Sequence, residues 1–180
     1  IVLPMAGILL ILGSRLKLIR EAATLLVKYE RPFGPSTDKV AVSEATGDVP
    51  FVSLHVPAYS EPPDLVIETI SSLLHQDYAP ERFEVVLVDN NTEEESMWRP
   101  VEKWSNEWNR AHPNGPVMNF VHVPKLAGAK GGALNRCREI MSAKTEFVGV
   151  FDADYVVKAN FLEDLVPAFQ ASSRLAFIQT

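Results

Sequence analysis

Cysteine is almost absent from this chain of 180 residues. Cys137 stands alone, so no internal disulfide can form, and the chain suits a reducing compartment. An excess of positive charge is missing as well. With 17 Lys and Arg against 23 Asp and Glu, the net charge of −6 gives no reason to expect nucleic acid as a partner. No uninterrupted apolar run reaches the roughly 20 residues that a helix needs to cross a bilayer. Two phosphate-binding signatures are lacking too: no G-x-G-x-x-G follows the first strand-like run, and "GAKGGALN" has no G-K-[ST] ending. This weighs against a dinucleotide-dependent dehydrogenase and a P-loop protein. What remains, 47% hydrophobic and 22% charged, is typical of one ordinary globular domain.

The amino-terminal stretch departs from that average. "IVLPMAGILLILG" is apolar for thirteen residues before Ser14 and Arg15. As a helix it spans about 20 Å against the about 30 Å of a bilayer core, so it reads as the end of a transmembrane span that begins upstream. Arg15, Lys17 and Arg20 follow the run, and a basic flank belongs on the cytoplasmic side. A signal peptide would carry its charge before the run. Leu18, Ala22, Leu25 and Tyr29 then recur at helical spacing, as in an interfacial amphipathic helix, although a helix packed on a domain gives the same pattern. Residues 1–30 are therefore expected to form a membrane-associated segment. The Pro-, Gly- and Ser-rich residues 31–50 read as a linker, and 51–180 as the globular part.

From Phe51 onward, short apolar runs alternate with helical patterns. "FVSLHVP", "FEVVLVD", "VMNFVHVP" and "FVGVFD" read as strands, and "LAFIQT" as the start of a fifth. Leu65, Ile70, Leu73 and Leu74 form one helical stripe, and Leu134, Cys137 and Met141 another. "NFLEDLVPAFQ" predicts a helix interrupted near Pro167. Alternation of this kind predicts an α/β domain with a mostly parallel sheet covered by helices on both faces, and ligands bind beyond the carboxyl ends of such strands. The informative residues follow the strands: Pro57, Tyr59 and Glu61 after the first, Asp89 to Asn91 after the second, Lys125 to Lys130 after the third, Asp152 and Asp154 after the fourth.

Asp152 and Asp154 raise the sharpest question. In an extended chain they share one face roughly 6.5–7 Å apart, where two anions repel by about 2.5 kcal/mol. A positive charge should sit between them. Oxygen-only ligands at this spacing suit Mg²⁺ or Mn²⁺ completed by substrate phosphates. The plainer alternative is a strand running into a solvated Asp-Ala-Asp turn.

Taken in order, "VPAYSE", "VLVDNNT", "AKGGALN", "FDADY" and "IQT" resemble the inverting glycosyltransferases of family 2, with the GT-A fold, and among them the cellulose-synthase-like membrane polysaccharide synthases. The resemblance covers about residues 51–180. It implies a UDP-sugar donor, a glycan acceptor and a divalent cation. By the same resemblance Pro57, Tyr59 and Glu61 line the nucleoside pocket, and Asp89 accepts a hydrogen bond from uracil. Lys130 with Gly131 and Gly132 lies near the diphosphate, Asp152 contacts the ribose or the metal, and Asp154 ligates the metal. The family generally has K-A-G where this chain has Lys130-Gly131-Gly132. Its acidic base motif, of T-E-D type, and its Q-x-x-R-W motif lie well after the D-x-D and are not found here, so no catalytic base is named, and this stretch alone is expected not to transfer sugar. Two alternatives compete: a haloacid-dehalogenase-type phosphotransferase, whose D-x-D-x-V signature fits Asp152 as nucleophile, and a non-catalytic sugar-nucleotide-binding subunit.

Overall fold

A computed structural model describes residues 49–171 and 175–179; the readings placed on residues 1–48 lie outside it. Four strands and four main helices alternate: β1 (Val52–Ala58), α1 (Pro63–Leu74), β2 (Phe83–Asn90), α2 (Glu95–Ala111), β3 (Val117–Val123), α3 (Ala129–Ile140), β4 (Phe147–Val150) and α4 (Phe161–Ala171), with a short 3₁₀ turn at Pro80–Arg82. The strands lie in the order β3-β2-β1-β4, and each neighbouring pair is parallel. The two central strands, β1 and β2, are buried at every residue, polar Ser53, His55, Glu84, Asp89 and Asn90 included, as expected of strands covered on both faces.

Alternation along the strands sorts side chains into two layers. Val52, Leu54 and Val56 of β1, with Phe83, Val85 and Leu87 of β2, pack against Ile70 and Leu73 of α1, Val101 and Trp108 of α2, and Leu162 and Val166 of α4. On the opposite face Val86 and Val88 meet Ala133 and Cys137 of α3. Each fully buried Leu or Ile contributes about 1.5–3 kcal/mol, far more than an exposed ion pair, so these layers hold the sheet. The α3 face also buries polar groups near the amino ends of the strands. Ser53 Oγ donates to Glu84 Oε1 at 3.0 Å, Asn119 Nδ2 donates to Glu84 Oε2 at 2.9 Å, and the Ser142 amide donates to Glu84 Oε1 at 2.6 Å. Because Ser53 gives its one proton to Glu84, His55 must be the donor in its 3.1 Å contact with Ser53 Oγ, through Nε2–H.

Pro57 in a central strand needs a reason. The His55 carbonyl accepts the Phe151 amide on the β4 side, and β4 pairs with β1 only from Val52 to His55. Pro57 therefore lies beyond the pairing, where its missing N–H breaks no ladder bond.

Three expectations need correction. Leu175–Gln179 forms no strand; Ala176 to Gln179 line a groove of 640 Å³ along β4 and α4. The helix around Pro167 is unbroken from Phe161 to Ala171. Proline withholds an amide only from the carbonyl four residues earlier, and that residue, Glu163, is exposed to solvent. The fourth strand ends at Val150, short of Asp152, because the chain then turns: the Tyr155 amide donates to the Asp152 carbonyl at 3.2 Å. Asp152 thus opens a tight turn and Asp154 lies within it, so the two are not an extended pair.

Candidate functional site

Every predicted site residue except Pro57 lies at or just past the carboxyl edge of the sheet, where the strands release the chain into loops. The backbone there is unusual. Ser60, Asn91 and Ala129 have positive φ of 51°, 60° and 47°, and Gly128 has φ of 91°. Left-handed conformations are costly for residues with a Cβ and gather where surrounding structure holds them. All four lie where β1, β2 and β3 give way to the helices that follow them.

Asn91 is the clip among these loops. Its Nδ2 donates to the Leu126 carbonyl at 2.9 Å, its Oδ1 accepts the Leu126 amide at 2.7 Å, and its own amide reaches the Val123 carbonyl at 2.8 Å. The loop that leads into α3 is thereby pinned to the end of β2. Gly128 then opens α3 in the left-handed conformation, and Gly132 lets the first turn approach the loop: a Cβ there would lie 2.0 Å from the Ala127 carbonyl oxygen. Gly131 has no atom within 4 Å of the place a Cβ would take, so nothing in the structure demands glycine at that position.

Lys130 stands in the first turn of the helix that follows this clip. In β4 and beyond, Gly149, Phe151 and Ala153 turn toward the α1 and α4 layer, so Val148, Val150 and Asp152 fall on the α3 side. Lys130 Nζ there forms an ion pair with Asp152 Oδ1. The positive charge that the paired carboxylates called for is thus supplied in part by the chain itself. Ala153 between them is buried, and its carbonyl accepts Thr69 Oγ1 at 2.9 Å, which fixes the turn on α1. Asp152 and Asp154 both face solvent.

Asp89 lies apart from that pair, in a different setting. It is buried, with His122 Nδ1 donating to Oδ1 at 2.8 Å and Thr92 Oγ1 donating to Oδ2 at 2.8 Å. Thr92 Oγ1 in turn accepts the Ser60 amide at 2.9 Å, so the carboxylate is linked to the loop holding Tyr59 and Glu61. Tyr59 is 59% exposed and Glu61 half-buried, whereas Pro57 is buried within β1 beside Val88 of β2. His122 and Thr92 were not singled out from the sequence. What joins His122 to the site is strand register, which only the fold supplies: Asp89 and His122 are direct neighbours across β2 and β3, one residue from the end of each strand.

Among the described residues no three His, Cys, Asp or Glu side chains converge as a metal cage. Two carboxylates on one exposed turn still fit Mg²⁺ or Mn²⁺, which characteristically take one or two protein carboxylates and complete their shell with phosphate and water. Such an ion would be held by Asp154 and Asp152.

Residues 53–180 match the family described as Glycosyl transferase family 2, and the chain belongs to that family. An N-acetylglucosaminyltransferase of Bradyrhizobium elkanii is 24% identical over 142 residues, covering 79% of this chain and 72% of the relative. A beta-monoglucosyldiacylglycerol synthase of Trichormus variabilis is 28% identical over 128 residues, covering 71% of this chain and 25% of the relative. Among solved structures, the mannosyltransferase PcManGT of Pyrobaculum calidifontis, in complex with GDP-Man and Mn²⁺, has a TM-score of 0.55 at 24% identity, over 68% of this chain and 33% of that one. TarS of S. aureus, residues 1–349, has a TM-score of 0.53 at 24% identity, over 67% and 32%. The structural likenesses establish the shared GT-A-type architecture. The chain thus spans about a quarter of the second of these relatives and about a third of the two solved chains. Membership of this family does not favour the phosphotransferase alternative. Among the described residues no helix is long and apolar enough to cross a membrane.

Proposed function

We propose that this chain carries the donor site of an inverting, metal-dependent glycosyltransferase that moves a sugar from a UDP-sugar to a growing polysaccharide or another glycan, in the cellulose-synthase-like subgroup. The observation that supports this most is the meeting of Lys130, on the glycine-rich first turn of α3, with Asp152 on the turn after β4. A cation beside the amides of a helix start is suited to a diphosphate. The Asp152 and Asp154 turn next to it is suited to the divalent ion that accompanies one.

In this reading Tyr59, Glu61 and the Pro57 corner border the nucleoside, and Asp89 accepts from the uracil imide. Lys130 leaves Asp152 for the diphosphate oxygens when donor binds, and the Gly131 and Gly132 backbone lies alongside. Asp152 is then free to contact the ribose or share the ion with Asp154. A bound Mg²⁺ or Mn²⁺ would offset the negative charge that develops on the departing diphosphate. Lys130, once it has moved to the diphosphate, adds a second positive charge there. The acceptor hydroxyl needs a base on the face opposite the leaving group. None of the site residues named here has that role, so donor binding is assigned to this stretch and transfer to the whole protein. The apolar run and basic flank in residues 1–20 support membrane attachment with the site on the cytoplasmic side. A cysteine at Ser36 should then resist an impermeant reagent in intact cells.

The test is transfer from radiolabelled UDP-sugars by the full-length protein in its membranes, with Mn²⁺ or with a chelator. Metal-dependent incorporation into glycan is expected. Release of phosphate through an aspartyl-phosphate intermediate, or donor binding without incorporation, would contradict the reading.

A further inference from the structure

We infer that His122 is the positioning residue that presents Asp89 to the nucleobase, and that Trp98 holds it for the purpose. This rests on the donor-site reading above and adds a residue to it.

A carboxylate can only accept hydrogen bonds, so the 2.8 Å contact fixes the proton of His122 on Nδ1. The ring cannot swing away. Trp98, in the first turn of α2, stacks on it with centroids 4.2 Å apart and planes 8° from parallel, and Arg99 lies over the Trp98 ring at 4.6 Å. Arg99 is itself held by Glu95 at 2.6 Å. From the other side Thr92 engages the second oxygen of Asp89. The Asp89 side chain is only 7% exposed and that of His122 16%. A buried carboxylate with a donor on each oxygen has one orientation, and the lone pairs left to it point in fixed directions.

This bears on recognition. Uracil offers a single imide N–H between two carbonyls, so its selection depends on an acceptor placed to meet one donor. A carboxylate free to rotate would meet other bases as well. The sheet makes the arrangement possible, since Asp89 and His122 are register partners on adjacent parallel strands. The stacking partner comes from α2, which covers that face.

The test is calorimetric titration of the protein with UDP, N3-methyl-UDP and inorganic pyrophosphate, each with Mn²⁺. His122→Phe keeps a ring against Trp98 but donates nothing, and His122→Val serves the same end should the phenyl ring not pack. His122→Asn retains a side-chain N–H. Expected is a loss of UDP affinity of about tenfold in His122→Phe, of the size seen when a hydrogen bond to a charged group is removed. Pyrophosphate affinity should stay unchanged, N3-methyl-UDP should not distinguish the variant from wild type, and His122→Asn should recover most of the loss. If Asp89→Asn weakens UDP and His122→Phe does not, the inference falls and the donor site stands. If neither variant weakens UDP, the nucleobase role of Asp89 falls too, and with it the inference. Equal loss for UDP and pyrophosphate would mark His122 as merely structural and overturn it as well.

Discussion

Lys130 and Asp152, 22 residues apart in sequence, form an ion pair that ties the start of α3 to the turn after β4. The side chains are 57% and 63% exposed, and pairs so exposed contribute at most about 1 kcal/mol to stability. Lys130→Ala should therefore leave urea unfolding within about 1 kcal/mol of wild type. The same change should weaken UDP binding with Mn²⁺ about tenfold or more, because the diphosphate loses a charge-assisted partner. A variant that loses stability and keeps its affinity would reverse the assignment of this lysine from ligand to scaffold.

Asn91 combines a left-handed backbone with two side-chain hydrogen bonds to Leu126. Asn91→Ala loses both bonds and meets the left-handed penalty, at a total cost of about 2–4 kcal/mol. Hydrogen exchange should show the loop from Pro124 to Gly128 opening more readily, while β1 and β2 keep their protection. Uniform loss of protection across the sheet would mean that the clip holds the whole fold and not one loop.

Two adjacent glycines should respond in opposite ways. Gly132→Ala places a methyl group 2.0 Å from the Ala127 oxygen, so the entry into α3 must rearrange and the protein should lose stability. Gly131→Ala meets open space inside a helix and should gain about 0.5–1 kcal/mol. Paired thermal melts decide this, and equal shifts for both would contradict the packing described around Gly132.

His55 gives the fold a pH dependence of known sign. Burial pushes its pKa from 6.5 down to about 4, so the folded protein keeps it neutral while the unfolded chain takes up a proton. Nothing is lost above pH 6.5. As pH falls from there toward 4, stability should decline by up to about 3 kcal/mol on this account. Urea unfolding of wild type and His55→Gln at pH 7.5 and 4.5 measures it: the difference between the two pH values should be smaller in the variant. Identical pH dependence in both proteins would show that His55 is not the group responsible.

The sheet was legible in the sequence because its strands left short, mostly apolar runs rich in Val and bounded by turn residues, too short for helices, and β1 and β2 matched theirs almost residue for residue. Helix α2 was less so. Its Pro100 and many charges obscured it, although Val101, Trp104, Ser105 and Trp108 stand at helical spacing and bury one face. Asp152 and Lys130 were legible as residues but not as partners, since their contact depends on which face β4 turns toward α3. The groups around Asp89 were the hardest to read. His122 looks like any polar residue in an edge strand until the register places it beside a carboxylate, and register is a property of the folded pair.

The central claim is that the turn bearing Asp152 and Asp154 helps to hold a divalent ion with a nucleotide diphosphate. Calorimetric titration of UDP into wild type and Asp154→Asn, each in Mn²⁺ and in chelator, tests it most directly. Wild type should bind UDP at least tenfold more tightly with Mn²⁺ than without, and Asp154→Asn should show no such difference; the figure of about tenfold corresponds to 1.4 kcal/mol. Equal binding by wild type in both buffers, or a metal dependence that survives in Asp154→Asn, would contradict the claim.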